Sequence, residues 1–136
     1  MGDTVKSWGQ MKQELLYKDL TSKILSAVYD VFENLGYGYK EKIYQNALEK
    51  ELLKRNLTFA RECYGKILYD GEVVGKYYLD FLVEDTVAVE LKVRRELFDS
   101  DKVQLLEYLK AKHLKVGLLV VFSKEKPIVK RFINSV

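Results

Sequence analysis

Asp80, Glu90 and Lys92 are charged residues that lie inside two short apolar segments, at 79–83 and 89–93. Two carboxylates can hold a divalent cation, and an ammonium group beside them can position water and stabilise the charge of an attacked phosphate. Since the ligands here would be oxygen atoms with no His or Cys nearby, Mg²⁺ or Mn²⁺ is favoured over zinc. The three residues therefore predict metal-assisted hydrolysis, with Asp80 and Glu90 as metal ligands and all three as catalytic groups.

The alternation of side chains along a strand decides whether these residues can meet. A loop over 84–86 sets Asp80 opposite Glu90, with Cβ atoms about 5 Å apart, where two carboxylates repel unless a cation or proton lies between them. A two-residue loop would bury Glu90 and Lys92 at a cost of several kcal/mol, so we predict the longer loop. Its register pairs apolar residues into one buried face: Leu79 with Leu91, Phe81 with Val89, and Val83 with Val87.

Two helices are predicted before these strands. Apolar residues recur at three- and four-residue steps over 18–35 and again over about 39–56, where Ile43, Tyr44, Ala47, Leu48 and Leu52 form the inner stripe. Gly36 and Gly38 end the first helix, because glycine adopts the left-handed cap without steric cost.

The strands and a third helix follow. Asp70-Gly71 indicates a type I′ hairpin turn between strands at about 62–69 and 72–83, and a third strand covers about 87–93. Asp99 or Ser100 caps a helix that ends near His113. The apolar run 116–122 predicts a strand covered on both faces, and the chain after Pro127 is either a short helix or an edge strand. The apolar face of this third helix is predicted to contain Val103, Leu106 and Leu109.

This order predicts a mixed α/β fold in which helices flank a mixed sheet. The 136 residues suit one domain, which we place over 17–136 after an arm over 1–16 that is expected to become ordered only against a partner or the domain surface. A net charge of +3 permits contact with nucleic acid without demanding it. One cysteine cannot form an internal disulfide, and the longest apolar run is too short to span a bilayer, so we expect a soluble cytoplasmic protein.

The pattern Leu79-Asp80-Phe81-Leu82-Val83, followed by Val89-Glu90-Leu91-Lys92-Val93, resembles the PD-(D/E)xK nuclease superfamily. Glu90-Leu91-Lys92 is the one Glu-x-Lys in the chain. Leu79 departs from the proline that usually precedes the aspartate. The resemblance implies a restriction-endonuclease-like core and a Mg²⁺-dependent nuclease. A structural ion pair on a solvated sheet face is the alternative reading of the same residues.

The segment Gly38-Tyr39-Lys40-Glu41-Lys42-Ile43-Tyr44, followed by Gln45-Asn46-Ala47-Leu48, resembles the GxxExxY family, over about residues 24–122. That resemblance implies that Glu41 is a third carboxylate at the metal site, with Tyr44 beside it in contact with substrate. A first-turn acid that interacts with the helix dipole is the alternative for Glu41.

Gln104 and Tyr108 resemble the Gln-x-x-x-Tyr motif of nuclease domains in bacterial recombination helicases. Their spacing places both on one helix face, where Gln104 could orient the phosphate or the water and Tyr108 could support the substrate. Arg94, Arg95 and Lys102 suit contacts with backbone phosphates, although such charges also occur on ordinary surfaces.

The sequence therefore predicts a Mg²⁺- or Mn²⁺-dependent nuclease that acts on nucleic acid, with DNA favoured over RNA and no membrane partner. By analogy with small nucleases that cut two strands, a homodimer is expected. The alternatives are a binding or assembly module on the same scaffold without turnover, and a structural domain without cation affinity.

Overall fold

Helices and strands follow one another in the order that the sequence predicts. The computed structural model describes residues 5–134, and their elements have these bounds: α1 Trp8–Leu35, α2 Glu41–Lys54, β1 Phe59–Tyr69, β2 Glu72–Val83, β3 Val87–Val93, α3 Asp99–Lys112, β4 Val116–Phe122 and β5 Pro127–Ile133. Among these residues the strands form one sheet in the order β1-β2-β3-β4-β5, in which β3 and β4 are parallel and the other neighbours antiparallel. The predicted mixed α/β fold is confirmed.

Helix α1 begins at Trp8, well before the predicted start at residue 18. The Ser7 hydroxyl accepts a hydrogen bond from the Gln10 amide at 3.1 Å, and the Gln10 side chain accepts one from the Ser7 amide at 2.8 Å, which together make a capping box. Residues 8–16 are exposed, so this part of α1 lacks the buried face from which the helix was predicted. Residues 1–4 of the predicted arm lie outside the described residues, and a division of the chain at residue 17 stays a prediction.

The sheet separates two apolar layers. Helices α1 and α2 cover one face and α3 covers the other. Strand β4 is buried along its whole length, as expected for a strand covered on both faces. The layer under α1 and α2 includes Ile24, Val28, Leu48, Phe81, Val89, Leu91 and Val120. The layer under α3 includes Tyr77, Leu79, Ala88, Leu105, Leu109 and Leu119.

The predicted register between β2 and β3 is confirmed at its first pairs and fails beyond them. Val83 pairs with Val87 and Phe81 with Val89 across the loop at 84–86, but the ladder ends there. The Leu91 amide instead donates a hydrogen bond to Asp80 Oδ2 at 2.7 Å. As a result, the predicted pairing of Leu79 with Leu91 is wrong, because Leu79 lies in the layer under α3 and Leu91 in the layer under α1 and α2.

The predicted inner faces of two helices also need correction. In α3 the exposed residues include Val103 and Leu106, whereas Leu105 and Leu109 are buried. Apolar residues occupy both sides of this helix, so their spacing alone does not identify the side that meets the sheet. In α2, Ile43 is exposed, although the rest of the predicted stripe is buried or half-buried.

The predicted turns take the expected conformations. Asp70 and Gly71 have φ angles of 52° and 77°, as a type I′ turn requires. His113 ends α3 in the left-handed conformation, with φ 55°. After Pro127 the chain forms β5 at the sheet edge, which decides between the two alternatives for this segment. In residues 5–134, no helix combines the length and apolar character needed to cross a membrane.

Gly65→Ala should destabilise the β1–β2 hairpin. A Cβ atom at Gly65 would lie 2.1 Å from the Tyr77 ring. That ring is buried and packs edge-on against Tyr108, with 5.1 Å between ring centroids. We expect the free energy of unfolding in urea to fall by about 1 to 3 kcal/mol. Gly75→Ala on the paired strand is the matched control, since its Cβ would meet only Ile67, at 3.6 Å. Equal stability of the two variants would show that the Tyr77 ring does not require this glycine.

Candidate active site

Three carboxylates from three different elements lie close together. Glu41 is in the first turn of α2, Asp80 is near the end of β2, and Glu90 is in the middle of β3. One oxygen of each lies within 4.8 Å of the others. Oxygen ligands of one Mg²⁺ ion lie about 3 to 4 Å apart, so small side-chain rotations would bring all three to a common ion. The donor set fits a hard divalent cation.

Glu90 is the most deeply buried of the three, with only 4% of its surface exposed. Its Oε2 atom has no hydrogen-bond partner among the described residues. Burial is the largest cause of a rise in the pKa of Glu90 to about 10, and the adjacent Asp80 carboxyl, which can share a hydrogen bond with protonated Glu90, adds to it. A buried carboxylate without a donor is costly, so this position calls for either a proton or a cation.

Glu41 is half-buried and responds to the same neighbours. Burial, followed by the negative charge of Asp80, raises the pKa of the Glu41 carboxyl. The positive charges of Lys92 and Arg94 oppose that rise. Its electrostatic surroundings therefore combine competing acids with nearby cations, as expected for a group at the edge of a cation site.

Asp80 is fixed from two sides. Its Oδ2 accepts the hydrogen bond from the Leu91 amide, and its Oδ1 accepts one from Gln45 Nε2 at 3.0 Å. Gln45 Nε2 also lies 3.4 Å from Glu41 Oε1, and Gln45 Oε1 in turn accepts a hydrogen bond from Arg61 at 3.4 Å. One amide side chain therefore joins two of the three carboxylates.

Gln45 was not among the site residues predicted from the sequence. Its signal was its position four residues after Glu41, which places both on one face of α2. A polar residue there, flanked by the buried Tyr44 and Leu48, could have been recognised as facing the sheet.

Lys92 follows Glu90 by two residues on β3 and is half-buried. Its ammonium group lowers the pKa of both Glu90 and Glu41. No carboxylate of residues 5–134 lies within 4.0 Å of the Lys92 ammonium nitrogen. The lysine is therefore near the acids without being paired to one, and its hydrogen-bond donors remain available.

Two of the predicted phosphate contacts have partners within the fold. Arg94 pairs with the buried Asp101 at 2.9 Å and lies over the Phe98 ring, with 4.4 Å between guanidinium carbon and ring centroid. Lys102 pairs with Asp99 at 3.3 Å. Arg95 is exposed. Asp101, which was not predicted from the sequence, also accepts a hydrogen bond from the Phe98 amide.

The predicted contact of Tyr44 and Tyr108 with substrate is wrong, because both rings are buried in apolar layers. Tyr44 is fully buried and stacks on Phe122 with 4.5 Å between ring centroids. Its hydroxyl donates a hydrogen bond to the Gly36 carbonyl. Tyr108 packs against Tyr77, and burial raises the pKa of its hydroxyl to about 12.

Gln104 is half-buried on α3, and its side chain makes no hydrogen bond within the described part of the chain. The structure therefore leaves its predicted catalytic role as a prediction. The residues that the structure brings together are Glu41, Asp80, Glu90, Lys92 and Gln45.

A solved structure with a similar fold supports the architecture described above. The solved structure of a protein called SSO0001 is similar, with a TM-score of 0.56 and 21% sequence identity, and the match covers 70% of this chain. This chain spans only half of that one. No curated protein matches the sequence. A family model described as the PD-(D/E)XK nuclease superfamily matches residues 18–132, and the chain belongs to that superfamily.

Proposed function

We propose that this protein is a Mg²⁺- or Mn²⁺-dependent nuclease that hydrolyses phosphodiester bonds of DNA. The observation that carries the proposal is the convergence of Glu41, Asp80 and Glu90, with the unpartnered Oε2 of Glu90 buried beside Lys92. Membership of a nuclease superfamily implies a nucleic-acid substrate. A cytoplasmic location, a homodimer and a place in the GxxExxY group are the finer parts of the same proposal.

In this mechanism the three carboxylates would hold the cation, and Gln45 keeps Asp80 and Glu41 in position beside Glu90. A bound cation would supply Lewis acidity toward the phosphate and lower the pKa of a coordinated water. Lys92 donates a hydrogen bond to the attacking water or to a phosphate oxygen, and its charge offsets the negative charge that builds up during attack. Gln104, as predicted from sequence, would orient the same phosphate from α3.

A module that binds nucleic acid without cutting it is the second candidate. The carboxylate cluster is compatible with it, because acids that bind a cation do not by themselves require turnover. Such a module would bind Mn²⁺ at the carboxylates and leave every oligonucleotide intact.

Lys92→Met and Glu90→Gln should each lower the rate of cleavage by at least about a hundredfold, because each removes a group that acts on the reacting phosphate or its metal. The measurement is cleavage of labelled single-stranded and duplex DNA and RNA, with Mg²⁺ or Mn²⁺. Lys124→Met, in an exposed loop, is the matched control and should cleave as the unchanged protein does. Full activity of Lys92→Met would remove Lys92 from the mechanism, and intact substrates throughout would favour the binding module.

The pH dependence of the free energy of unfolding should reflect the protonation of the Glu90 carboxyl. Because its pKa is higher in the folded protein than the usual 4.5, the folded state holds an extra proton. The free energy of unfolding of the metal-free protein should therefore fall as pH rises from about 5 toward 9. Glu90→Gln stays neutral at every pH and should lose most of that fall in urea titrations run with a chelator. An unchanged pH profile in the variant would assign the proton to another group.

The affinity for Mn²⁺ should rise with pH, opposite to the trend in the free energy of unfolding. Mn²⁺ must displace the proton of Glu90, so its affinity should rise by up to about tenfold per pH unit near neutrality.

Gln45→Leu should weaken Mn²⁺ binding by about 10- to 100-fold while the melting temperature of the metal-free protein changes little. Lys50→Leu, on the exposed side of α2, is the control. Unchanged Mn²⁺ affinity in Gln45→Leu would show that Gln45 does not position the carboxylates.

A further inference from the structure

The β1–β2 hairpin extends far beyond its neighbour in the sheet. The two strands pair from Phe59 opposite Val83 to Tyr69 opposite Glu72, whereas β2 pairs with β3 only over residues 81–83. The part of the hairpin beyond Asp80 is therefore a two-stranded arm. Its inner face, which includes Cys63, Tyr77 and Leu79, packs against α3.

The outer face of this arm presents two cross-strand pairs in succession. Tyr64 lies opposite Tyr78 with ring centroids 6.5 Å apart, and both rings are more than half exposed, at 62% and 56%. Lys66 lies opposite Lys76 two residues further along on the same face, and both lysines are exposed. We call these four residues the hairpin face.

The lysine pair points to an anionic ligand. Like charges directly opposite one another destabilise a sheet. Neither lysine forms an ion pair within residues 5–134 that would offset the repulsion. A polyanion laid across the strands would do so, and the exposed tyrosine rings beside the lysines offer flat surfaces on which bases can stack.

The hairpin face also leads toward the carboxylates. Since Tyr77 and Leu79 point to α3, alternation directs Tyr78 to the opposite side of the sheet, where α2 lies. Tyr78 precedes Asp80 by two residues, about 7 Å along the strand. The ion pair of Lys42 with Glu62 joins the base of the arm to the first turn of α2, which contains Glu41.

We propose that the hairpin face binds a single strand of DNA that continues into the carboxylate site, which rests on the proposed nuclease function. Bases stack on Tyr64 and Tyr78, and phosphates contact Lys66 and Lys76. An unpaired strand is favoured over a duplex because only unpaired bases expose their faces to the tyrosine rings. A second copy of the chain is a poorer occupant, since two-fold pairing of this face would bring four lysines together.

Fluorescence anisotropy of a labelled single-stranded DNA oligonucleotide, with a chelator to prevent cleavage, tests the proposal. The double variant Tyr64→Leu, Tyr78→Leu keeps apolar side chains suited to a strand and should lose about tenfold or more in affinity. The double variant Lys66→Gln, Lys76→Gln should bind more weakly and reduce the slope of log affinity against log salt by about 1.4, the value for two phosphate contacts on a single strand. Tyr29→Leu, an exposed tyrosine on α1, is the control.

Affinities of both double variants equal to that of the unchanged protein would overturn the proposal. Equal or tighter binding of a duplex, or tighter binding of RNA of the same sequence, would overturn the assignment to single-stranded DNA. The outcome is separable from that of the nuclease proposal, because binding is measured without metal. Loss of binding in the hairpin variants would support the hairpin face even in a protein that never cleaves DNA.

Discussion

The hydrogen bond from the Leu91 amide to the Asp80 carboxylate is the interaction on which the site depends. A side chain here takes the place of a backbone carbonyl, so the β2–β3 ladder stops at Phe81 and Val89 and the two strands separate. The same bond fixes one oxygen of Asp80 close to Glu90. The separation also lets the rest of the hairpin cross to α3, where Leu79 is buried. A carboxylate acceptor in place of a backbone carbonyl thus ends the β2–β3 ladder, fixes the orientation of Asp80 and lets the hairpin pack against α3.

Electrostatic compensation determines the state of the carboxylates once they have been brought together. Three acids lie within a few ångströms of one another, one of them buried, while Lys92 lies nearby and forms no ion pair within residues 5–134. Protonation of Glu90 relieves the repulsion, and a divalent cation bound by all three acids would relieve it in a different way. A proton and a metal ion would therefore compete for the same carboxylates. Gln45 and Arg61 keep the geometry in which that competition occurs.

Much of the fold followed from local patterns, and most of the failures arose where a local pattern met a tertiary contact. Asp70-Gly71 and the loop at 84–86 gave the correct hairpin and the correct register near the loop, because both rest on backbone conformation and alternation. Alternation failed at Leu79 because it assumes that the ladder continues. Tyr44 and Tyr108 were misassigned because a motif specifies the type of a residue and says nothing about its burial. Glu41 was reached only through a family resemblance, since no spacing in the sequence links a helix to a strand 39 positions away.

The three carboxylates come from segments that are far apart in the chain, and this has a consequence for how the site is made. Asp80 and Glu90 become neighbours when β3 pairs with β2, but Glu41 reaches them only after α2 docks on the sheet. Strand β3 gains its second neighbour from β4, which is synthesised later than any of the three acids. A partly synthesised or partly folded chain therefore holds an incomplete set of ligands. An ion held by all three acids would therefore bind the folded chain in preference to the unfolded one and would stabilise the packing of α2 on β2 and β3.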